Sequence, residues 1–424
     1  MAAAGADERP RVKTPRATSG DAVEPNWAER LTISVGPSKG DLQGSNDRVL
    51  QAAVDYVARL GGGTVKVLPG NYTLRNAVWI QSHVRMVGSG ADSVLIKSPS
   101  VTTKVVADSD WYDQELTLAD ARGFQVGDAV CIRAKNAYTN GNIVLKRTLV
   151  ARSGNRFKLD KALRENIWLA GAPTVSTLFP ILTAENAHDM RIENITLDGN
   201  KANNENLDGN YAGCIFMQDC NRVELRKVVA RNYNGDGISW QICHDVVVEE
   251  CESNDHTGLG LHPGSGSQRT LIRNNRMRGN DQGLFFCWGV KWGLAEGNVI
   301  EDSRRYGLSI GHRDTDNIIR NNVIRNSAEA GILFRKERGK AYNAHRNRVE
   351  NNQVIDLGRE DGVAIDVQGE TQDIVIERNQ LRQTANPARR VGVRLGAMVG
   401  AVTLTDNRIE GFATAVEDLR EKKS

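Results

Sequence analysis

A glycine-led apolar phrase that keeps returning, an asparagine-bearing β-type segment between its copies, and the lack of any ten-residue amphipathic helical window there predict an all-β solenoid, a right-handed parallel β-helix. The phrase reads Gly213-Cys-Ile-Phe, Gly237-Ile-Ser-Trp, Gly258-Leu-Gly-Leu, Gly283-Leu-Phe-Phe, Gly307-Leu-Ser-Ile, Gly331-Ile-Leu-Phe and Gly362-Val-Ala-Ile, in steps of 24, 21, 25, 24, 24 and 31, with Gly392-Val-Arg-Leu 30 further on. Between the copies lie Ile272-Arg-Asn-Asn275, Leu294-Ala-Glu-Gly-Asn298, Ile319-Arg-Asn-Asn322, Val349-Glu-Asn-Asn352, Ile376-Glu-Arg-Asn379 and Leu404-Thr-Asp-Asn407. On coils of this length Asn275, Asn298 and Asn322 stack over one another, so their amides are expected to form an inward ladder with no catalytic role.

Taken in order, residues 1–24 are rich in Ala, Gly, Arg and Pro with no apolar run and are expected to be disordered. No secretory h-region and no 18-residue apolar stretch occur. Ser45 or Asn46 can cap a helix over 46–60 whose apolar residues Val49, Leu50, Ala53, Val54, Val57 and Leu60 share one face and which Gly61-Gly-Gly63 stops. An open solenoid end exposes core and unpaired backbone, so this helix is the natural N-terminal lid. Residues 102–178 break the repeat and read as a small antiparallel β insertion, either an elaborated loop or a subdomain overhanging a substrate. Regular coils run from about 190 to 410 within a single domain, 25–416, and 417–424 form a charged tail.

The net charge of +3 is unremarkable, but from Ser265 to Arg348 sixteen Lys and Arg stand against eight Asp and Glu. That surplus either attracts an anionic polymer or solvates the outer strand positions. Nothing resembles a nucleic-acid module. Six cysteines without a CxxC pair speak against a zinc site or a disulfide framework, and Cys214 reads as a small core residue.

The capping helix, the glycine run, Thr64-Val-Lys-Val-Leu-Pro-Gly-Asn-Tyr-Thr-Leu74, Val84-Arg-Met-Val-Gly-Ser-Gly90 and Met190-Arg-Ile-Glu-Asn-Ile-Thr-Leu-Asp-Gly-Asn200 resemble the pectate-lyase-like β-helix superfamily over most of 46–410. The resemblance implies a carbohydrate-active protein outside the cytoplasm; its members include polysaccharide lyases, polygalacturonase-type hydrolases, C5-epimerases, tailspikes and adhesins. It implies an acidic polysaccharide or oligosaccharide as partner, neither nucleic acid nor membrane, and Ca²⁺ as a possible cofactor, for which Asp236, Asp255 and Asp314 are the acidic candidates.

Strand parity then places the chemistry. Counting each glycine as zero, positions one and three are apolar and face the core, so positions two and four face out. The outward positions and flanking turns give His262, Tyr306, Arg335, Lys336, Asp236 and Asp255 as catalytic candidates, and Gln241, His256, Gln282, Trp288, His312 and Arg313 as substrate-binding ones. Hydrolysis needs two carboxylates across the bond, here Asp236 and Asp255. The polygalacturonase pattern finds only partial echoes, with His256 in place of one paired aspartate. β-Elimination from a uronate, or epimerisation, needs a base for the C5 proton and cations for the carboxylate. His262 or Tyr306 as base, with Arg335 and Lys336 as carboxylate holders, favours elimination; hydrolysis, epimerisation and binding without turnover remain the alternatives. The epimerases' Tyr-Gly-Phe-Asp-Pro-His phrase is matched only at Gly258 and His262.

Overall fold

Each repeat supplies three strands too short to bury an apolar face alone, and stacking the repeats resolves this. In the computed structural model, which describes residues 16–420 except 18, 26, 386 and 387, strands Leu271–Arg273, Arg276–Arg278 and Gln282–Phe285 form one coil. The next coil lays Leu294–Glu296, Val299–Glu301 and Tyr306–Ile310 against them in parallel register. Repetition makes three parallel faces. The first two share a 22-stranded sheet, joined through the long strands Val84–Lys97 and His188–Asp198; the third has eleven strands, from Val78–Trp79 to Thr414–Asp418. Ile238, Trp240, Leu261, Leu284, Phe286, Leu308, Ile310, Ile332 and Phe334 are all fully buried, as the parity predicts.

The corner between the first two faces has one local cause. A residue in the left-handed region, such as Asn274, Gly297, Asn321, Asn351, Arg378 or Asp406, turns the chain and points the next residue inward. That next residue is the asparagine. The Asn275, Asn298, Asn322, Asn352 and Asn379 amides each donate to the Oδ1 of the asparagine one coil on and to a main-chain carbonyl of the coil before. The predicted three-rung ladder therefore has six rungs, ending at Asn407.

Helix α1 (Asp47–Arg59) closes the N-terminal end. Asn46 rather than Ser45 caps it, accepting from the Arg48 and Val49 N–H groups, and Leu50, Ala53, Val54 and Val57 cover the first coil. Gln51 on its outer face exchanges two hydrogen bonds with the Trp79 backbone. The insertion forms a six-stranded antiparallel sheet between Thr102 and Ser176 with its own core around Leu116, Phe124, Val130, Ile132 and Phe157. Arg75 pins it to the coils through Asp128 at 2.7 Å.

Several sequence expectations shift. Ile215 pairs with Ile238, Ile238 with Leu261, and Ile332 with Ile365. Cys214, Gly260 and Ala364 therefore head their coils, in place of Gly213, Gly258 and Gly362. A side chain at Gly260 would meet the Gly283 carbonyl at 2.5 Å, which is why the head position admits only small residues. At the termini, Arg16 and Val23 pair in an antiparallel bridge, and Glu417 and Asp418 belong to the last strand rather than to a tail. Residues 1–15 and 421–424 lie outside the described residues.

Replacing Asn298 by Ala removes one rung and leaves the Ile272 carbonyl and the Asn275 and Asn322 amides with unpaired partners. The expected cost is about 1–3 kcal/mol, measured by denaturant unfolding, with turnover per folded molecule unchanged.

Candidate functional site

The outward face of the third sheet is organised in files set by the parallel register. One file runs Trp79, Thr183, Phe216, Ser239, His262, and another segment of it runs Phe285, Ser309, Leu333, Asp366, Arg394. The two segments meet where the His262 ring stands edge-on to Phe285, centroids 5.5 Å apart. Because Gly260 heads its coil, His262 belongs to the file of Ser239 and Phe285 and not, as the spacing predicted, to that of Gln241 and Cys287.

Asp236, in the turn that leads into this sheet, reaches across the register to His262, with Oδ2 2.8 Å from Nδ1. Its Oδ1 accepts from the Leu259 N–H at 2.9 Å. Both side chains are buried, His262 being only 2 % exposed, and among the described residues His262 Nε2 has no hydrogen-bond partner. Beside them the Gln241 amide donates to Ser239 Oγ at 3.1 Å while its Oε1 is also buried without a partner there. Ser239 Oγ donates to the Gly209 carbonyl, which ties the loop before the strand Ile215–Gln218 over the pair. That loop needs glycine, since a Cβ at Gly209 would lie 1.6 Å from Asp236 Oδ2. Buried polar atoms are nearly always bonded, and His262 Nε2 and Gln241 Oε1 are exceptions among the described residues, as are Trp240 Nε1 and His256 Nε2.

Arg335 behaves differently from its expected role. Its guanidinium donates to Ser309 Oγ at 2.9 Å and the Phe286 carbonyl at 2.7 Å, and lies 3.4 Å from Asp314 Oδ2 and 4.1 Å above the Phe285 ring. Asp314 is fully buried and also accepts from the Gly289, Val290 and Gly311 N–H groups. Burial pushes the Asp314 carboxyl up and the Arg335 guanidinium down, each opposed by the other's charge. Arg335 is thus an internal brace of the coil, with its donors spent on protein. Gln282 joins the same network, accepting from Ser309 Oγ at 2.8 Å.

The exposed part of the site lies beyond this brace. Trp288 stacks on His312 with centroids 4.6 Å apart, and His312 contacts Tyr342 at 5.1 Å. Arg313 lies over Tyr342 at 4.3 Å, and Glu337 Oε2 is 3.5 Å from His312 Nδ1. Trp288, His312 and Arg313 are therefore brought together as expected, and Lys336 is exposed on the loop that carries Glu337. Tyr306 is half-buried, its hydroxyl accepting from Arg305 at 3.1 Å, and burial raises its pKa.

Two predicted site residues lie elsewhere. His256 is fully buried, its Nδ1 accepting from the Tyr233 N–H and its own N–H donating to Asn280 Oδ1. It fills an inward corner slot, the one that Asn280 fills a coil later, and desolvation lowers its pKa to about 3. Asp255 is exposed in the left-handed residue of the same turn, where its carbonyl accepts from Lys201. It takes no part in the bonding around Asp236, whose oxygens meet His262 and the Leu259 N–H. Of the acidic candidates for calcium, Asp236 bonds to His262 and the Leu259 N–H, and Asp314 to Arg335 and three backbone N–H groups. Among the described residues His83, His188 and Asp189 bring three ligand atoms within 4.8 Å of one another on the first coils, where Arg222 grips Asp189 with two bonds.

The arginine surplus is largely used on the other faces. Arg269, Arg276, Arg320 and Arg346 pair with Asp245, Glu301, Glu296 and Asp316 on neighbouring coils at 2.7–2.8 Å. Sequence reasoning missed Ser239, Ser309, Glu337 and Tyr342, and also Lys146, which the insertion brings over Phe216. Ser239 and Ser309 occupy outward position two and were legible from parity; the others depend on loop paths.

The family described as right handed beta helix region matches residues 213–381. The chain is a right-handed parallel β-helix protein. The A-module of the Azotobacter vinelandii mannuronan C-5 epimerase AlgE4 shares the fold with this β-helix at a TM-score of 0.55 and 15 % identity, over 89 % of this chain and 96 % of that one. In sequence the β-helix is 21 % identical over 265 residues to a capsule K1-specific depolymerase of Klebsiella phage K64-1, which is 58 % of this chain and 29 % of that protein. It is 23 % identical over 222 residues to the mannuronan C5-epimerase AlgE3 of A. vinelandii, 48 % of this chain and 11 % of that protein. The β-helix thus spans less than a third of either curated relative. Among its described residues no helix is long and apolar enough to cross a membrane.

Two outcomes are expected from this geometry. His256 is neutral in the fold down to about pH 3 but takes up a proton near its ordinary pKa of about 6.5 when unfolded. The unfolded chain therefore binds more protons between those values, and the stability due to neutral His256 is lost as pH falls through that window, by at most about 1.4 kcal/mol per unit. His256→Asn, which copies Asn280, should flatten that slope in urea titrations. Arg335→Leu strands the buried Asp314 charge and should cost about 3–5 kcal/mol, read from the denaturant midpoint, far more than loss of a surface substrate contact.

Proposed function

We propose that the third sheet acts on an acidic polysaccharide, with His262 as the base that removes the C5 proton of a uronate residue in a β-elimination. The observation that carries this reading is the division of labour on the imidazole: Nδ1 is held by Asp236 while Nε2 is buried with no partner among the described residues. A carboxylate on one ring nitrogen fixes the orientation and leaves the other nitrogen to accept a proton, and it stabilises the imidazolium that results. In the step itself the C5–H bond breaks to Nε2, its electron pair forms the C4–C5 double bond, and the C4–O bond breaks with the pair leaving on the departing sugar oxygen, which is then protonated. The neighbouring Gln241 amide and the Trp288–His312–Tyr342 platform supply polar and stacking contacts for adjacent sugar units. Since His262 is 2 % exposed, the reading requires the loop tied down through Gly209 to yield when substrate enters. The relatives named above, a capsule depolymerase and mannuronan epimerases, support a polysaccharide as substrate.

Epimerisation begins with the same proton loss and differs in its second step, since the proton returns to the opposite face of C5 and no bond to C4 breaks. The likeness to the epimerase A-module favours keeping it as the second reading.

Incubation with a panel of uronate-containing polymers distinguishes them: ultraviolet absorbance from unsaturated uronates marks elimination, and an inverted C5 signal in proton NMR without chain cleavage marks epimerisation. His262→Ala should lower kcat by about 10²–10⁴-fold, and Asp236→Asn by a similar factor through loss of the tautomer. Asp255→Asn should have no effect. New reducing ends that persist in His262→Ala but vanish in Asp236→Asn and Asp255→Asn would overturn the proposal in favour of hydrolysis.

A further inference from the structure

We infer that the cavity between the antiparallel insertion and the third sheet is a subsite for an acidic sugar residue, whose carboxylate or sulfate group is bound by Lys146. The inference rests on the reading of this sheet as a polysaccharide site and adds to it a second anchor, two coils away from His262.

The cavity measures about 220 Å³ and is walled by Trp79, Phe179 and Thr183 of the coils and by Val144, Lys146 and Arg147 of the insertion. At roughly 30 Å³ per liquid water it has room for about seven, the scale of a single sugar ring. The Lys146 ammonium lies 3.9 Å above the Phe216 ring and 3.8 Å from Glu185, and its side chain is 25 % exposed. At that separation Glu185 offsets charge without accepting a hydrogen bond, and among the described residues no other acceptor meets the ammonium. Three strong donors therefore stand at the cavity wall without a protein acceptor among the described residues.

Lys97 shows what a structural lysine looks like in this protein. It too lies over an aromatic ring, Phe179 at 4.4 Å, but it is fully buried and its ammonium donates to the Thr177 carbonyl and to Asn204. Lys146 is partly buried and has the ring without those partners. The other charged groups of the cavity are already used or stand at its mouth: Arg147 donates to the Ala162 and Leu163 carbonyls, Asp160 accepts from the Thr148 N–H, and Lys161 is exposed. Burial lowers Lys146 to about 8, so the ammonium is charged at neutral pH and becomes neutral above it, with Glu185, Cys131 and Lys161 as the nearby groups that modulate this.

The position along the sheet gives the cation a purpose. Phe216 is registered on Ser239 and Ser239 on His262, so Lys146 sits roughly 10 Å from His262 along the file at about 4.8 Å per coil. A polymer lying along the file presents one unit to His262 and a neighbouring unit to Lys146. Trp79, 36 % exposed and with its backbone clamped by Gln51 of helix α1, closes the far side as a stacking surface. A neutral sugar in this place would desolvate the ammonium without replacing its water, so the site discriminates by charge.

The test is calorimetric binding of the full chain to short uronate oligosaccharides, to sulfated neutral ones, and to carboxyl-reduced counterparts. Wild type should bind one acidic class at least tenfold more tightly than its neutral counterpart, with the preference fading as pH rises through about 8. Lys146→Met should abolish the preference and Lys146→Arg restore part of it; which acidic class is preferred identifies carboxylate or sulfate. Protection of Lys146, but not Lys161, from acylation by the bound acidic sugar, read by mass spectrometry on unmutated protein, tests the same contact without relying on a variant's folding. A charge preference that survives in Lys146→Met, or acylation of Lys146 unaffected by ligand, overturns the subsite while leaving the His262 reading intact. Lys146-dependent binding without any turnover supports the subsite and removes the catalytic reading, and the absence of binding to every sugar overturns both.

Discussion

The hydrogen-bonded stacking of one coil on the next is the constraint on which the rest of this molecule depends. Parallel strands pair only at fixed separation, so a residue on one coil has a defined neighbour about 4.8 Å above and below, and files of side chains become the unit of structure. Inside, the constraint is met by apolar residues and by the asparagine ladder, in which each amide satisfies both the next asparagine and the backbone of the previous coil. Outside, the same spacing lets Asp236 meet His262 and Ser309 meet Arg335 although they are 26 residues apart in each case.

Two histidines six residues apart show how strictly the register decides chemistry. His256 falls in an inward corner slot and is reduced to a neutral hydrogen-bond acceptor, held by the Tyr233 N–H and far below its ordinary pKa. His262 falls at an outward position beside the Asp236 carboxylate; among the described residues the Nε2 of each histidine is buried without a partner. Their residue type is the same, and the direction of the side chain relative to the coil decides whether Nδ1 meets a backbone N–H or a carboxylate.

A similar division runs through the cations. Arg335 and the arginines of the outer faces have spent their donors on carboxylates and carbonyls, which is the usual fate of a charge that must be desolvated or ordered. Lys146 is the contrasting case, a partly buried ammonium over an aromatic ring with a carboxylate too distant to bond. The insertion that carries it walls a cavity together with coil residues such as Trp79, Phe179 and Thr183.

The sequence by itself determined the period, the inward and outward parity, the capping helix, the insertion and the ladder, because each is written in spacings of two to about thirty residues that backbone geometry converts directly into structure. Asn275, Asn298 and Asn322 could be placed without coordinates, and so could the aromatic Trp288 beside His312. Tertiary structure alone decided which of two glycines heads the coil before His262, that Asp236 is its partner, that Asp255 is not, and that Arg335 is a brace. Those outcomes depend on register between coils of unequal length and on loops and an insertion that fold back from far along the chain, and long-range hydrogen bonding rather than local pattern sets both.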